Sequence, residues 1–152
     1  MTAPEVDDDL AWEVRRFVDA VIVARGTPPG VEETAGALGL AAEAARAAFL
    51  RLHELHARFI DRDGGRVRMA HPFSGVPTAF PVQSAGVSYW ANCAWDALGI
   101  PAALGADALA AATYAEDGQP AAIEVAGGQA RGSGVVHFLL PFRRWYDDLV
   151  FT

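Results

Sequence analysis

Apolar residues recur at helical spacing through the early part of the chain and at strand-like spacing through the later part. Leu10, Val14, Phe17, Val18, Val21 and Ile22 mark one face of a helix. Asp7, Asp8 and Asp9 precede it, where negative charge suits the positive end of a helix dipole. The run Gly26-Thr27-Pro28-Pro29-Gly30 ends that helix. Val31–Leu38 predicts a short second helix and Gly39-Leu40 a tight turn. Ala41–Arg58 predicts a longer third helix, with Phe49, Leu52, Leu55, His56 and Phe59 along one stripe. Phe59–Arg62 and Arg66–Met69 flank Asp63-Gly64-Gly65, a hairpin signature. Three helices followed by a hairpin describe a winged helix-turn-helix-like lobe over residues 10–72, after a tail at residues 1–9.

The pattern changes at His71–Pro81, a stretch rich in proline, glycine and small residues. A second lobe is expected from residue 73 to 152. Thr78–Gln83, Val87–Trp90, Ala108–Tyr114, Ala121–Val125 and Val135–Leu140 predict strands. Cys93–Leu104 predicts a helix carrying Pro101 near its end, and Trp145–Thr152 the start of another element. The fold class is therefore α+β: a winged-helix-like lobe, then a β-rich lobe built around one central helix.

Composition narrows the function. The chain has 152 residues, enough for one domain or two small lobes sharing a core. Its formal net charge is −7, which argues against non-specific nucleic-acid binding, since that binding is driven by cations on phosphates. No apolar run reaches the roughly 18–20 residues that span a bilayer. The acidic start lacks the features of a signal peptide, so a cytoplasmic location and no membrane partner are expected. One cysteine forms no intrachain disulfide.

That cysteine lies in the densest chemical signal, Tyr89-Trp90-Ala91-Asn92-Cys93-Ala94-Trp95-Asp96. With Asn92 as N-cap, Cys93 would sit in the first turn of a helix, where the dipole favours thiolate over the free value of about 8.5. Asp96, three residues on, shares its face. Tyr89, Trp90, Trp95 and Phe80 are candidate substrate-binding walls, with core packing as the competing reading of the first three. Apolar walls would favour a protonated Asp96, ready as a general acid. A thiol beside an acid suits attack on a soft metal centre followed by protonation of the carbon leaving it, but the pair alone fits other thiol chemistry equally.

The segment Trp90–Gly105, WANCAWDALGIPAALG, resembles the catalytic segment of organomercurial (alkylmercury) lyases. The flanking aromatics, the Ile-Pro-Ala-Ala-Leu-Gly continuation and the upstream helical lobe add to the likeness. The resemblance implies that Cys93 attacks mercury and Asp96 protonates the carbon leaving group. Mercury would enter as part of a small-molecule substrate, with Cys93 its ligand and no cofactor. The metal product would pass to small thiols or to a mercuric reductase. The family also uses a second cysteine, downstream of the first. This chain has none and ends about where it would stand, so the favoured expectation is a catalytic lobe truncated at its C-terminus. Asn92 replaces an aromatic that family members often carry.

Two rivals remain open. One is a divergent relative acting through Cys93 and Asp96 on a non-mercurial organic molecule. The other is a winged-helix transcriptional regulator, with Arg46 and Arg51 on its recognition helix and Arg62, Arg66 and Arg68 on its wing. His53 and His56 share a helix face without a third metal ligand. His71 and His137 carry no motif.

Overall fold

The computed structural model describes residues 7–61 and 63–147. Helix α1 spans Asp8–Arg25. Asp7 caps it, its carboxylate accepting from the Leu10 amide at 2.8 Å, so the helix begins within residues 1–9, read from the sequence as a tail. Ala11, Val14, Val18 and Ile22 are its buried face. α2 (Val31–Leu38) and α3 (Ala42–Glu54) follow. α3 stops short of the expected Arg58. His56 turns left-handed at φ 55°. The amides of Ala57 and Arg58 then fold back onto the Leu52 carbonyl, at 2.9 and 3.2 Å.

Three short strands complete this part: β1 (Phe59–Ile60), β2 (Val67–Ala70) and β3 (Phe73–Ser74), antiparallel in that order. β1 and β2 form the expected hairpin with a bulge between Phe59 and Ile60. β3, drawn from the linker, was not expected. Arg62 lies outside the described residues.

A second, antiparallel sheet contains β4 (Pro81–Ser84), β5 (Val87–Trp90), β6 (Ala108–Thr113), β7 (Pro120–Ala126) and β8 (Gln129–Arg131), in the order β5-β4-β6-β7-β8. α4 (Ala94–Leu104) packs against β4, β6 and β7. Paired Val82, Tyr89 and Ala110 are buried beneath it, while Gln83 and Leu109 face outward. β4 begins at Pro81 rather than Thr78, whose hydroxyl instead donates to the Ala91 carbonyl at 2.6 Å. Val135–Leu140 forms no strand. Gly134, just ahead of this run, takes φ 97°, a conformation that L residues rarely adopt. The edge beside β7 is taken by β8, which pairs through a two-residue Gly127-Gly128 turn with both φ positive. Phe142–Asp147 forms a 3-10 helix, and residues 148–152 of the last expected element lie outside the described residues.

The two sheets and the helices share one core, from Ala11 and Phe49 through Phe73 to Val82 and Ile100. Phe73 bridges Ala91 across the sheets and stacks at 5.3 Å on Tyr89. The Tyr89 hydroxyl donates to the Val23 carbonyl of α1 at 2.7 Å. Gly26 makes that approach possible. A Cβ there would fall 1.9 Å from the Ser88 carbonyl oxygen, at φ 82°.

Candidate active site

Cys93 is itself the N-cap residue of α4, with extended backbone at φ −151° and ψ 178°, and its side chain makes no capping hydrogen bond. It is half-buried. Burial pushes the thiol above its ordinary range, and the negative charge of Asp96 adds to this. The amides of Asp96 and Trp95 pull the other way without winning. The expected thiolate-favouring position is thus corrected: the helix start is present, but desolvation outweighs its amides.

Asp96 stands in the first turn of α4, three residues along. Its surroundings are polar rather than apolar. The Asn92 amide nitrogen donates to Oδ2 at 2.9 Å, and the His71 ring nitrogen Nδ1 lies 3.3 Å from the same oxygen. Asn92 therefore does not cap α4 as expected. Its nitrogen also reaches the Pro72 and Phe73 carbonyls, at 3.2 and 3.3 Å. The peptide bond between His71 and Pro72 is cis. His71 had no motif and was missed. Its partner is 25 residues away in sequence, and only the fold joins them.

The four candidate wall residues separate. Tyr89 and Trp90 are adjacent on β5 and face opposite sides of the sheet. Tyr89 is 2% exposed and turned toward α1. Trp90 is half-buried, on the side carrying Pro81. Trp95 is 55% exposed and meets Phe138 edge-on at 6.2 Å, and Phe138 in turn meets Trp145 at 5.0 Å. Phe80 alone among the four lines the cleft beside α4. This space of about 240 Å³ lies among Phe80, Ala94, Leu98, Tyr114, Ile123 and Val136.

No group of three or more His, Cys, Asp or Glu among the described residues is arranged to hold a metal ion. His53 Nδ1 instead accepts the Ile60 amide at 3.3 Å. Three of the arginines of the regulator reading are engaged within the chain. Arg46 donates to the Asp63 carbonyl at 2.7 Å, Arg51 pairs with Asp8 at 2.8 Å, and Arg68 lies 4.0 Å from Asp61. No helix among the described residues is long and apolar enough to cross a membrane.

A family described as alkylmercury lyase matches residues 73–151, just over half of the chain and all of α4 with its sheet. The chain belongs to the alkylmercury lyase family. Its fold is also that of a solved structure, the mercury-bound form of MerB2, at a TM-score of 0.66 and 18% sequence identity. That match covers 85% of this chain and 62% of the other, so the chain spans less than two thirds of that relative's length. A comparison with curated proteins finds no significant match. Cys93 and Asp96 both lie within the family segment, whereas His71 and Pro72 fall just before it.

Proposed function

We propose that this alkylmercury lyase family chain cleaves carbon–mercury bonds. The observation that carries this reading is a thiol at the N-cap and a carboxyl group in the first turn of one helix, within the family segment. Cys93 attacks the mercury of an organomercurial cation, forming a sulfur–mercury bond and losing its thiol proton. The Asp96 carboxylate accepts that proton. The carboxyl group then protonates the carbon bound to mercury. The carbon–mercury bond breaks, hydrocarbon leaves, and mercury(II) remains on the Cys93 sulfur. The electron pair of the carbon–mercury bond passes to carbon and forms the new carbon–hydrogen bond, so mercury stays mercury(II) and no oxidant or reductant is needed.

Mercury(II) with one thiolate is poorly held, and the chain has a single cysteine. For this chain an added small thiol can supply the second ligand, and small thiols or a mercuric reductase take the product. Mercury is substrate, and no cofactor takes part. Residues 10–72 form a winged-helix-like scaffold, in a cytoplasmic protein, that holds the catalytic lobe of residues 73–152. Phe80 and the cleft beneath it receive the organic group.

A second reading keeps the same pair but replaces mercury with an organic small molecule. The polar setting of Asp96, which suits proton transfer in general, favours it.

One experiment separates the two. Benzene release from phenylmercury is measured with excess small thiol for the wild-type chain, Cys93→Ser and Asp96→Ala. Release by wild type that disappears in both variants supports the lyase. A folded wild-type chain that captures phenylmercury but releases no benzene overturns it in favour of the second reading.

A further inference from the structure

We propose that Asn92 and His71 are positioning residues for Asp96: they hold Oδ2 so that Oδ1 is the oxygen that carries the transferred proton. The inference deepens the lyase reading and rests on it. Three oxygens surround the Asn92 nitrogen, those of Pro72, Phe73 and Asp96, at 3.2, 3.3 and 2.9 Å, with His71 Nδ1 further off at 3.5 Å. A flipped amide would turn an oxygen toward all three, so the orientation is determined. The amide oxygen is buried and has no partner among the described residues. That arrangement carries a cost, so the nitrogen contacts hold the side chain in place.

His71 reaches Asp96 from a different element. Its ring stands edge-on to Phe59 at 5.8 Å, half-exposed, with Nδ1 3.3 Å from Oδ2. As an N–H, that nitrogen donates to Oδ2 both when Asp96 is a carboxylate and when its proton sits on Oδ1, so one contact serves Asp96 before and after it takes a proton. The loop is seated by Pro72, whose Cβ lies 3.0 Å from where a side chain on Gly99 would begin. The Asp96 Oδ1 atom lies 4.0 Å from the same point and takes no hydrogen bond among the described residues. With Oδ2 doubly engaged, Oδ1 is the free oxygen.

The test separates mercury capture from carbon protonation. Phenylmercury capture by Cys93 is followed as an intact-mass adduct, and benzene release in a single turnover with excess enzyme and thiol. His71→Phe keeps a ring against Phe59 and loses the nitrogen. Asn92→Leu keeps volume and loses the donor. Both are expected to capture at the wild-type rate and to release benzene about 10- to 100-fold more slowly, the effect of a misplaced acid. His71→Asn places a nitrogen where Nδ1 stood and should recover most of the release. Wild-type release from both His71→Phe and Asn92→Leu overturns the inference. So does a joint loss of capture and release that His71→Asn fails to restore. If wild type itself releases no benzene, the lyase reading fails separately, and the positioning is read from the Asp96 carboxyl ¹³C resonance. That resonance should move in His71→Phe and return in His71→Asn, and an unmoved resonance overturns it.

Discussion

Two helical glycines differ in what a methyl group would meet, and alanine at each makes a matched pair. Gly36 in α2 has nothing within 4 Å of an added Cβ. Gly36→Ala should therefore show helix propensity alone, a gain of about 0.5–1 kcal/mol. For a chain of this size that raises the midpoint by roughly 1–4 °C. Gly99 in α4 offers the same gain, but its Cβ would lie 3.0 Å from Pro72 Cβ and 3.6 Å from Pro72 Cγ. Extra volume in a packed contact costs about 1–3 kcal/mol. Gly99→Ala should thus be about 1–3 kcal/mol less stable than Gly36→Ala if the loop stays in place. If the loop yields instead, the strain is relieved by moving Pro72, and His71 moves with it. The loss then appears in benzene release rather than in stability. Urea unfolding and single-turnover release on both variants test this together. A Gly99→Ala chain as stabilised as Gly36→Ala and as active as wild type would show that Pro72 does not rest on α4, and the seating of His71 would fall with it.

Other outcomes follow from single contacts. The pH dependence of Cys93 alkylation should give an apparent pKa above the ordinary thiol range, and Asp96→Asn should lower it while leaving it raised, because burial is the larger cause. The sign for folding follows: the raised thiol favours the folded state below the ordinary value, and that contribution is lost as pH rises through the folded one, so urea midpoints should decline above about pH 9. Tyr89→Phe removes the 2.7 Å bond to the Val23 carbonyl and should cost about 0.5–1.5 kcal/mol in urea unfolding, without changing release per folded molecule. Arg58 is 4% exposed and paired with Asp19, so Asp19→Ala, which strands the guanidinium, should destabilise more than Arg58→Met. The reverse order would sink that account.

The sequence carried the local structure well where one period dominated. The apolar face of α1, the Phe59 hairpin and strand Val87–Trp90 all appear where their patterns place them. It failed where a partner decides. Val135–Leu140 is as apolar as a strand, but apolarity does not choose the pairing: polar Gln129–Arg131 pairs with β7 because Gly127-Gly128 turns it back. The site divides in the same way. Cys93 is the extended N-cap of its helix rather than a residue of the first turn, but it and Asp96 were legible together at the start of one helix. The neighbours of Asp96 were not, since His71 lies 25 residues away and Asn92 serves the carboxylate rather than the helix amides. Four nearby aromatics suggested one pocket wall, but adjacent strand positions point to opposite faces, and only Phe80 reaches the cleft.

The division between family segment and preceding residues has a chemical consequence. Cys93 and Asp96 belong to the matched segment, but His71 and Pro72 lie before it, on the loop that leaves β2. That loop is fixed by Phe59 and by the β2–β3 pairing on one side, and by Gly99 and Asn92 on the other. The helical lobe therefore does more than cover apolar surface: through β2 it sets where the second partner of Asp96 stands. A substitution in the first lobe that leaves stability unchanged can still alter proton transfer, provided it moves β2. Phe59→Leu is such a case, since it removes the ring contact beside His71 while keeping an apolar residue in β1. Its signature would be slower benzene release with unchanged capture by Cys93. Equal slowing of both steps would mean instead that the lobe acts only through overall folding.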